Sequence, residues 1–272
     1  MRPPEGWRPT RRSGGCTVAK LSAAVLAGNS EDDIAECLVS LDWADERIVI
    51  LDTRSTDRTA GIADLLGARV VPNAFVDFAQ QREFGLTLPQ HEWLFYVDSD
   101  ERGTPALGEE IRRAVQREDV VGWWVPRRTF IWGCEIRHGG WSPDYQLRLL
   151  KLGHVHYDPQ RRVHELPILD GDAGYLSEPL IHYNYRTFRQ FVDKQRQYIA
   201  YEADILFQRG VRPKPWTYGL QPLREFWRRY VRLGGWRDGL CGLVLCAAVA
   251  WYYGFVVTVK LGRLWRAGAA SG

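Results

Sequence analysis

Three short apolar runs, each stopping on a polar tip, constrain this chain more than any other feature. Leu21–Ala27 runs into Gly28-Asn29, and Arg47-Ile48-Val49-Ile50-Leu51 runs into Asp52. Trp93-Leu94-Phe95-Tyr96-Val97 runs into Asp98-Ser99-Asp100-Glu101. Runs of this length suit buried strands and are too short for ordinary helices. Between them lie helical patterns. Ile34, Cys37, Leu38 and Leu41 share one helical face, and Ile62, Leu65 and Leu66 follow the polar turn Thr53–Thr59. A short strand is expected at Arg69–Val71, then a segment carrying Arg82. Strands and helices alternating in units this short predict right-handed crossovers and a Rossmann-like, mostly parallel central sheet. Ligands of such α/β sheets sit beyond the carboxyl ends of the strands. Ala27–Asn29, Asp52 and Asp98–Asp100 all fall there.

Along a strand, alternate side chains share a side, so Asp98 and Asp100 are expected to face one spot. Two carboxylates that close repel unless a cation or donors lie between them. Hard ions such as Mg²⁺ are held by one or two carboxylates plus substrate phosphates, so the pair suggests a metal–diphosphate site. The plainer alternative is an acidic turn into a helix begun at Pro105 and capped by Thr104. Asp-x-Asp alone is common, and its weight here comes from the company of the other strand ends.

Elsewhere the chain sets limits. Its 272 residues suffice for one core plus an appendage, and a net charge of +3 gives no reason to expect nucleic acid. Five cysteines without a CxxC pair fit a reducing compartment and argue against structural zinc. Cys134 reads as packing. Residues 1–19 read as a disordered basic tail. Arg11-Arg12 before Leu21–Ala27 could pass for a secretory signal, but the run leads into Glu31-Asp32-Asp33, suited to a first helical turn. A strand at 21–27 and a helix capped near Ser30 are therefore expected.

These stretches resemble family 2 glycosyltransferases of the GT-A fold. Leu21–Asn29, Ile48–Asp57, Phe78-Ala79-Gln80-Gln81-Arg82 and Val97–Glu101 stand in that family's order. Gly139–Leu149 and Val163-His164-Glu165 resemble the branch of lipopolysaccharide-core glucosyltransferases. The resemblance implies a nucleotide-sugar donor, a UDP-sugar first, with Mg²⁺ or Mn²⁺. It implies that Ala27, Asn29, Asp52, Arg82 and Asp98 meet the donor, and that Asp100, helped by Asp98, holds the metal. Two positions depart from the pattern. Arg54 replaces the usual glycine and Glu83 the usual asparagine. Arg54 either strains the turn or adds a phosphate contact.

Past a helix at 105–116, strand-like runs at Val120–Val125 and Tyr145–Leu150 flank a Gly/Trp-rich loop. Inverting transfer needs a base on the acceptor side. Asp144 is the first candidate and Glu165 its rival. Arg148 is expected on the same strand face as Asp144, and Trp141 is expected to stack on an acceptor sugar. An Asp144–Arg148 surface pair with Trp141 as packing is the alternative. Of His154, His156, His164 and His182, only His182 is placed near the metal, by analogy with late histidines of GT-A enzymes.

The catalytic domain is expected over 20–186 and a helical region over 187–272, opening at Thr187. Residues 209–237 carry eight basic residues against Glu225, and residues 222–232 alternate arginines with aromatics. Such a helix suits an anionic membrane surface. Residues 239–259 carry no charge and are just long enough to span a bilayer, although lying in plane fits their mid-run Trp251-Tyr252-Tyr253 better. The expected protein is an inverting, metal-dependent hexosyltransferase on the cytoplasmic face of the cell membrane, acting on a glycan or lipid-linked acceptor in envelope synthesis. An inactive membrane-bound scaffold is the alternative. A sugar nucleotidyltransferase fits less well, because Gly28–Asp33 is acidic where a triphosphate loop is basic.

Overall fold

The computed structural model describes residues 19–157 and 166–270. Elements follow as β1 (Leu21–Ala27), α1 (Ile34–Val39), β2 (Glu46–Asp52), α2 (Thr59–Leu65), β3 (Arg69–Asn73), α3 (Phe78–Gly85) and β4 (Trp93–Asp98). Next come β5 (Glu101–Gly103), α4 (Pro105–Ala114), β6 (Gly122–Ile131), β7 (Cys134–Ile136) and β8 (Tyr145–Lys151). Short strands β9 (Val155–His156), β10 (Ile168–Leu169) and β11 (Ala173–Tyr175) lead to β12 (Leu180–Tyr185). Helices α5 (Phe188–Gln208), α6 (Thr217–Phe226), α7 (Gly239–Val249) and α8 (Val257–Ala270) close the chain, with π-helical turns at Trp227–Arg232 and Ala250–Val256.

The chain forms two compact units. The first runs to Arg127 and resumes from Asp144 to His182; the second holds Arg128–Pro143 and everything from Tyr183 onward. The second unit thus begins at Tyr183, ahead of the expected boundary at 186/187, and also takes in the Gly/Trp-rich loop.

In the first unit, β3, β2, β1 and β4 pair in parallel, as the alternating pattern predicts. Beyond β4 the sheet turns antiparallel through β8 to β6. Both faces are covered. Ala23, Val25, Val49, Phe95 and Val97 join one core with Ile34, Leu38 and Ile111 from the helices. Their strand neighbours Ala24, Leu26, Ile50, Leu94 and Tyr96 join another with Ala79 of α3. Successive side chains enter opposite cores, so both faces of these strands are buried and their central residues are almost all apolar.

Helix starts follow local chemistry. The Thr104 side chain accepts from the Leu107 amide at 3.1 Å, and Pro105 opens α4. Thr187 and Gln190 form a reciprocal capping box on α5. The regular part of α1 begins after Asp33, whose side chain makes no capping bond, and the turn before it is opened by the Ser30 carbonyl, which accepts the Asp33 and Ile34 amides, each at 2.9 Å.

In the second unit, Ile131, Ile136, Tyr185, Phe191, Leu245 and Val249 form a core. Cys134 is disulfide-bonded to Cys241, correcting the expectation that it only packs and running against the reducing compartment read from the cysteine spacing. The helix spanning Gly235–Ala267 is long and apolar enough to cross a membrane, with a mean hydropathy of 2.1.

Candidate active site

The carboxyl ends of β1, β2 and β4 are stitched together by side chains. Asn29 takes a positive φ of 48°, a region asparagine tolerates better than most residues. Its Oδ1 accepts from the amides of Thr56 (2.9 Å) and Asp57 (3.3 Å) beyond β2. The hydroxyls of Ser30 and Ser99 meet at 2.9 Å, joining the loops after β1 and β4. Ala27 ends β1, and Gly28 passes so close to β2 that a Cβ there would stand 3.2 Å from the Asp52 Cβ.

Asp52 does not stand free. Arg54 donates to it from Nε (3.1 and 3.0 Å) and from Nη2 (2.7 Å), a two-pronged clamp on the strand tip. These hydrogen bonds hold the Asp52 carboxyl below the usual carboxylate range. Arg54, the departure from the family pattern, therefore caps the residue expected to meet the nucleobase or ribose. The other departure, Glu83, accepts the Tyr157 amide at 2.7 Å and has a structural role.

Asp98 and Asp100 part company. Strand β4 ends at Asp98, and a turn carries the chain through Ser99 and Asp100 into β5, so strand alternation does not put both carboxylates on one spot. Two contacts make this turn. The Asp98 amide donates to Glu101 Oε2 at 2.9 Å, and Arg102 Nη1 donates to the Ser99 carbonyl at 2.8 Å. Arg102 is itself anchored on Asp33 and Glu36 of the β1–α1 region.

The Asp98 carboxylate accepts from Arg82 Nη2 at 3.1 Å and from Arg148 Nη2 at 2.5 Å. Burial would raise its pKa, but the Arg148 and Arg82 charges outweigh that and hold it far below the usual range. Arg148 is 2% exposed and also donates to Glu101 Oε1 at 3.1 Å. Glu101, fully buried, takes a second guanidinium from Arg127 at 3.1 Å. Arg127 then reaches Asp144, with Nε at 2.8 Å and Nη2 at 2.5 Å from Oδ2. Desolvation opposes the charge of Arg127, yet Glu101 and Asp144 raise its pKa overall. The result is a continuous chain of charge: Arg82, Asp98, Arg148, Glu101, Arg127, Asp144.

That chain gives Asp144 and Arg148 different neighbours from those expected. They do not pair with each other. Asp144 is bound to Arg127 and to Gln146 Nε2 at 2.7 Å, while Arg148 lies buried against Asp98. Trp141 belongs to the second unit, partly buried against its apolar core. Glu165 and His164 lie outside the described residues.

Asp100 faces His182. Their Oδ2 and Nε2 atoms are 3.7 Å apart, too far for a hydrogen bond. His182 is buried and its Nδ1 has no hydrogen-bond partner among the described residues. Two ligands each about 2.1 Å from one small cation stand roughly 3–4 Å apart, so this pair has the spacing of neighbouring ligands. Among the described residues no cluster of three or more such side chains exists. Asp100 and His182 therefore suit a cation completed by water and substrate oxygens. Asp98, with both oxygens on arginines, is not presented to it.

Arg127 and Glu101 were not singled out from sequence. Glu101 sat in the Asp98–Glu101 motif as a carboxylate without a role, and Arg127 sat in a strand as one of two adjacent arginines.

Comparison with known proteins follows the same line. The profile described as Glycosyl transferase family 2 matches residues 22–178. The lipopolysaccharide core biosynthesis glycosyltransferase LpsC of Rhizobium meliloti is 31% identical over 253 residues, covering 89% of this chain and 91% of that one. Among solved structures, S. aureus TarS 1-349 covers 92% of both chains at 13% identity with a TM-score of 0.47. Glucosyl-3-phosphoglycerate synthase from Mycobacterium tuberculosis, solved with Mn²⁺, UDP and glucosyl-3-phosphoglycerate, covers 45% of this chain and 50% of that one at 21% identity and a TM-score of 0.34.

Proposed function

Because this chain belongs to glycosyl transferase family 2 and is a glycosyltransferase, we propose that it moves a hexose, with inversion, from a UDP-sugar to a glycan or lipid-linked acceptor of the cell envelope. The likeness to a lipopolysaccharide core glycosyltransferase supports that acceptor class and a place on the cytoplasmic face of the membrane, where nucleotide-sugars are made. The observation that carries the reading is the Asp100–His182 pair standing beside three joined strand ends.

In this reading Asp52 receives the nucleobase or ribose once Arg54 lets go of it. Arg82 and Asp98 shape the ribose side of the pocket, with Asp98 fixed as an anion by its two arginines. Asp100 and His182 would hold Mg²⁺ or Mn²⁺, which when bound offsets charge on the departing diphosphate. Asp144 accepts the proton of the acceptor hydroxyl at a carboxylate oxygen. Arg127 orients that carboxylate and ties its position, through Glu101 and Arg148, to Asp98.

The test is a panel of nucleotide-sugars with purified protein, read as thermal shift with and without Mn²⁺. The reading predicts a rise in melting temperature for a UDP-sugar that requires the metal. A panel with no metal-dependent response would reject it and favour an inactive binding module.

A further inference from the structure

The second unit turns apolar side chains outward on two helices. Trp216, Leu220, Leu223 and Trp227 follow one another at helical spacing from the start of α6 into the π-helical turn after it, each more than half exposed. Along α7 and the turn that follows it Leu240 and Trp251 are more than half exposed, with Leu240 at 74%, and Leu243 and Val244 between them are exposed to a lesser degree. Single exposed apolar residues are ordinary, but ordered stripes of tryptophan and leucine mark a surface that meets another apolar phase.

The charges around these stripes say which phase. Arg224 and Arg232 are exposed and, among the described residues, have no carboxylate within ion-pair distance. Lys214 and Arg237 lie over the rings of Trp216 and Trp236, each 5.3 Å from the ring centre. Indoles flanked by cations fit the boundary where acyl chains meet anionic headgroups. A second copy of this chain would bring the same arginines against each other, which opposes a symmetric pairing through this face.

The long apolar helix is not free to leave the unit. Gly254 meets Pro222 of α6 so closely that a Cβ would fall 2.4 Å from the Pro222 Cα. Val257 packs with Ile199 and Ala203 of α5, and Trp265 Nε1 donates to the Val211 carbonyl at 2.7 Å. A helix held on one side along this length leaves its outer face free to lie along a surface.

We propose that α6 and α7 form an in-plane docking surface for an anionic lipid bilayer, with the tryptophan and leucine stripes at the acyl boundary and the arginines on headgroup phosphates. The surface lies outside the residues assigned to transfer, so binding is measured with no sugar donor present, and its failure would leave the transferase reading intact.

The full chain is mixed with phosphatidylcholine vesicles and with vesicles also containing phosphatidylglycerol, then co-sedimented at low and high salt. Binding confined to the anionic vesicles and weakened by salt supports the proposal. Arg224→Ala/Arg232→Ala should weaken it by about 25-fold, at about fivefold per arginine. Trp216→Ser/Trp227→Ser should abolish it while the circular dichroism and melting curve stay as in the parent; if that variant misfolds, the arginine variant alone decides. Equal binding to both vesicle types, none to either, or full binding by the arginine variant would overturn the proposal. So would a dimer in light scattering that the tryptophan variant dissolves. Membranes from cells expressing the chain, washed with alkaline carbonate, separate the geometries: release supports an in-plane helix, and retention overturns it in favour of a span.

Discussion

Arg148 and Asp98 meet at 2.5 Å across the adjacent strands β8 and β4, and the same guanidinium nitrogen reaches Glu101 at 3.1 Å. Arg148→Met should destabilise the protein by about 3–5 kcal/mol, since it strips a buried charge from carboxylates that stay behind. Arg128→Met, which breaks an exposed pair with Glu135, should cost about 0–1 kcal/mol. Urea unfolding of the two variants measures the contrast, and similar small losses would show that the buried chain of charges adds no stability.

Acid should act through Asp98. Its folded pKa lies well below the unfolded value of about 3.9, so its stabilising contribution is complete above that pH and is lost as pH falls toward the folded value. The stability gap between the parent and Asp98→Asn should therefore be constant from neutral pH to about pH 5 and narrow below about pH 4. Denaturation midpoints across that range give the answer. A gap that widens on acidification would contradict the assignment.

Arg54→Ala should lower the KM for the donor by up to about fivefold, with kcat little changed. An exposed ion pair is weak, and this one has to open before a nucleotide reaches Asp52. Initial-rate kinetics decide. A rise in KM would mean that Arg54 binds the diphosphate instead.

Asp100→Ala and His182→Ala should each abolish Mn²⁺-dependent transfer and the metal-dependent thermal shift; Asp100→Ala should leave the melting temperature without metal nearly unchanged, and His182→Ala should lower it because it empties a buried site. Neither side chain takes part in a hydrogen bond described above whose loss would unsettle the sheet. Full activity in either variant would remove that residue from the cation site.

Asp144→Asn should lower kcat by at least about 100-fold while donor binding persists. Arg127→Lys keeps the charge but loses the fork that holds Asp144, and should lower kcat about tenfold. Donor affinity by calorimetry, set beside turnover, separates the two effects. Unchanged turnover in Asp144→Asn would pass the role to another base.

Much of this architecture was legible in the residues. Leu21–Ala27 forms β1 with the bounds its apolar run predicts, Thr104 caps α4 as the plainer reading of the acidic turn expects, and the helical pattern expected to open at Thr187 is α5. Local chemistry decides those features. The expectation that Asp98 and Asp100 share a side assumes a continuous strand, and the chain turns after Asp98 once Glu101 captures its amide. Arg127 was missed for a different reason. Its partners Glu101 and Asp144 lie 26 and 17 residues away, and only the packing of separate strands brings them to it. The apolar stretch 239–259 was plain in sequence, but the side of it covered by α5 and α6 depends on tertiary contacts.

The alternating guanidinium and carboxylate chain from Arg82 to Asp144 also bears on how this protein can diverge. No member can change sign without leaving a neighbour's charge unpaired, most severely at buried Arg148 and Glu101, so isolated replacements there should be purged while reciprocal swaps survive. Among descendants of this chain, variation at these six positions should arrive in matched pairs.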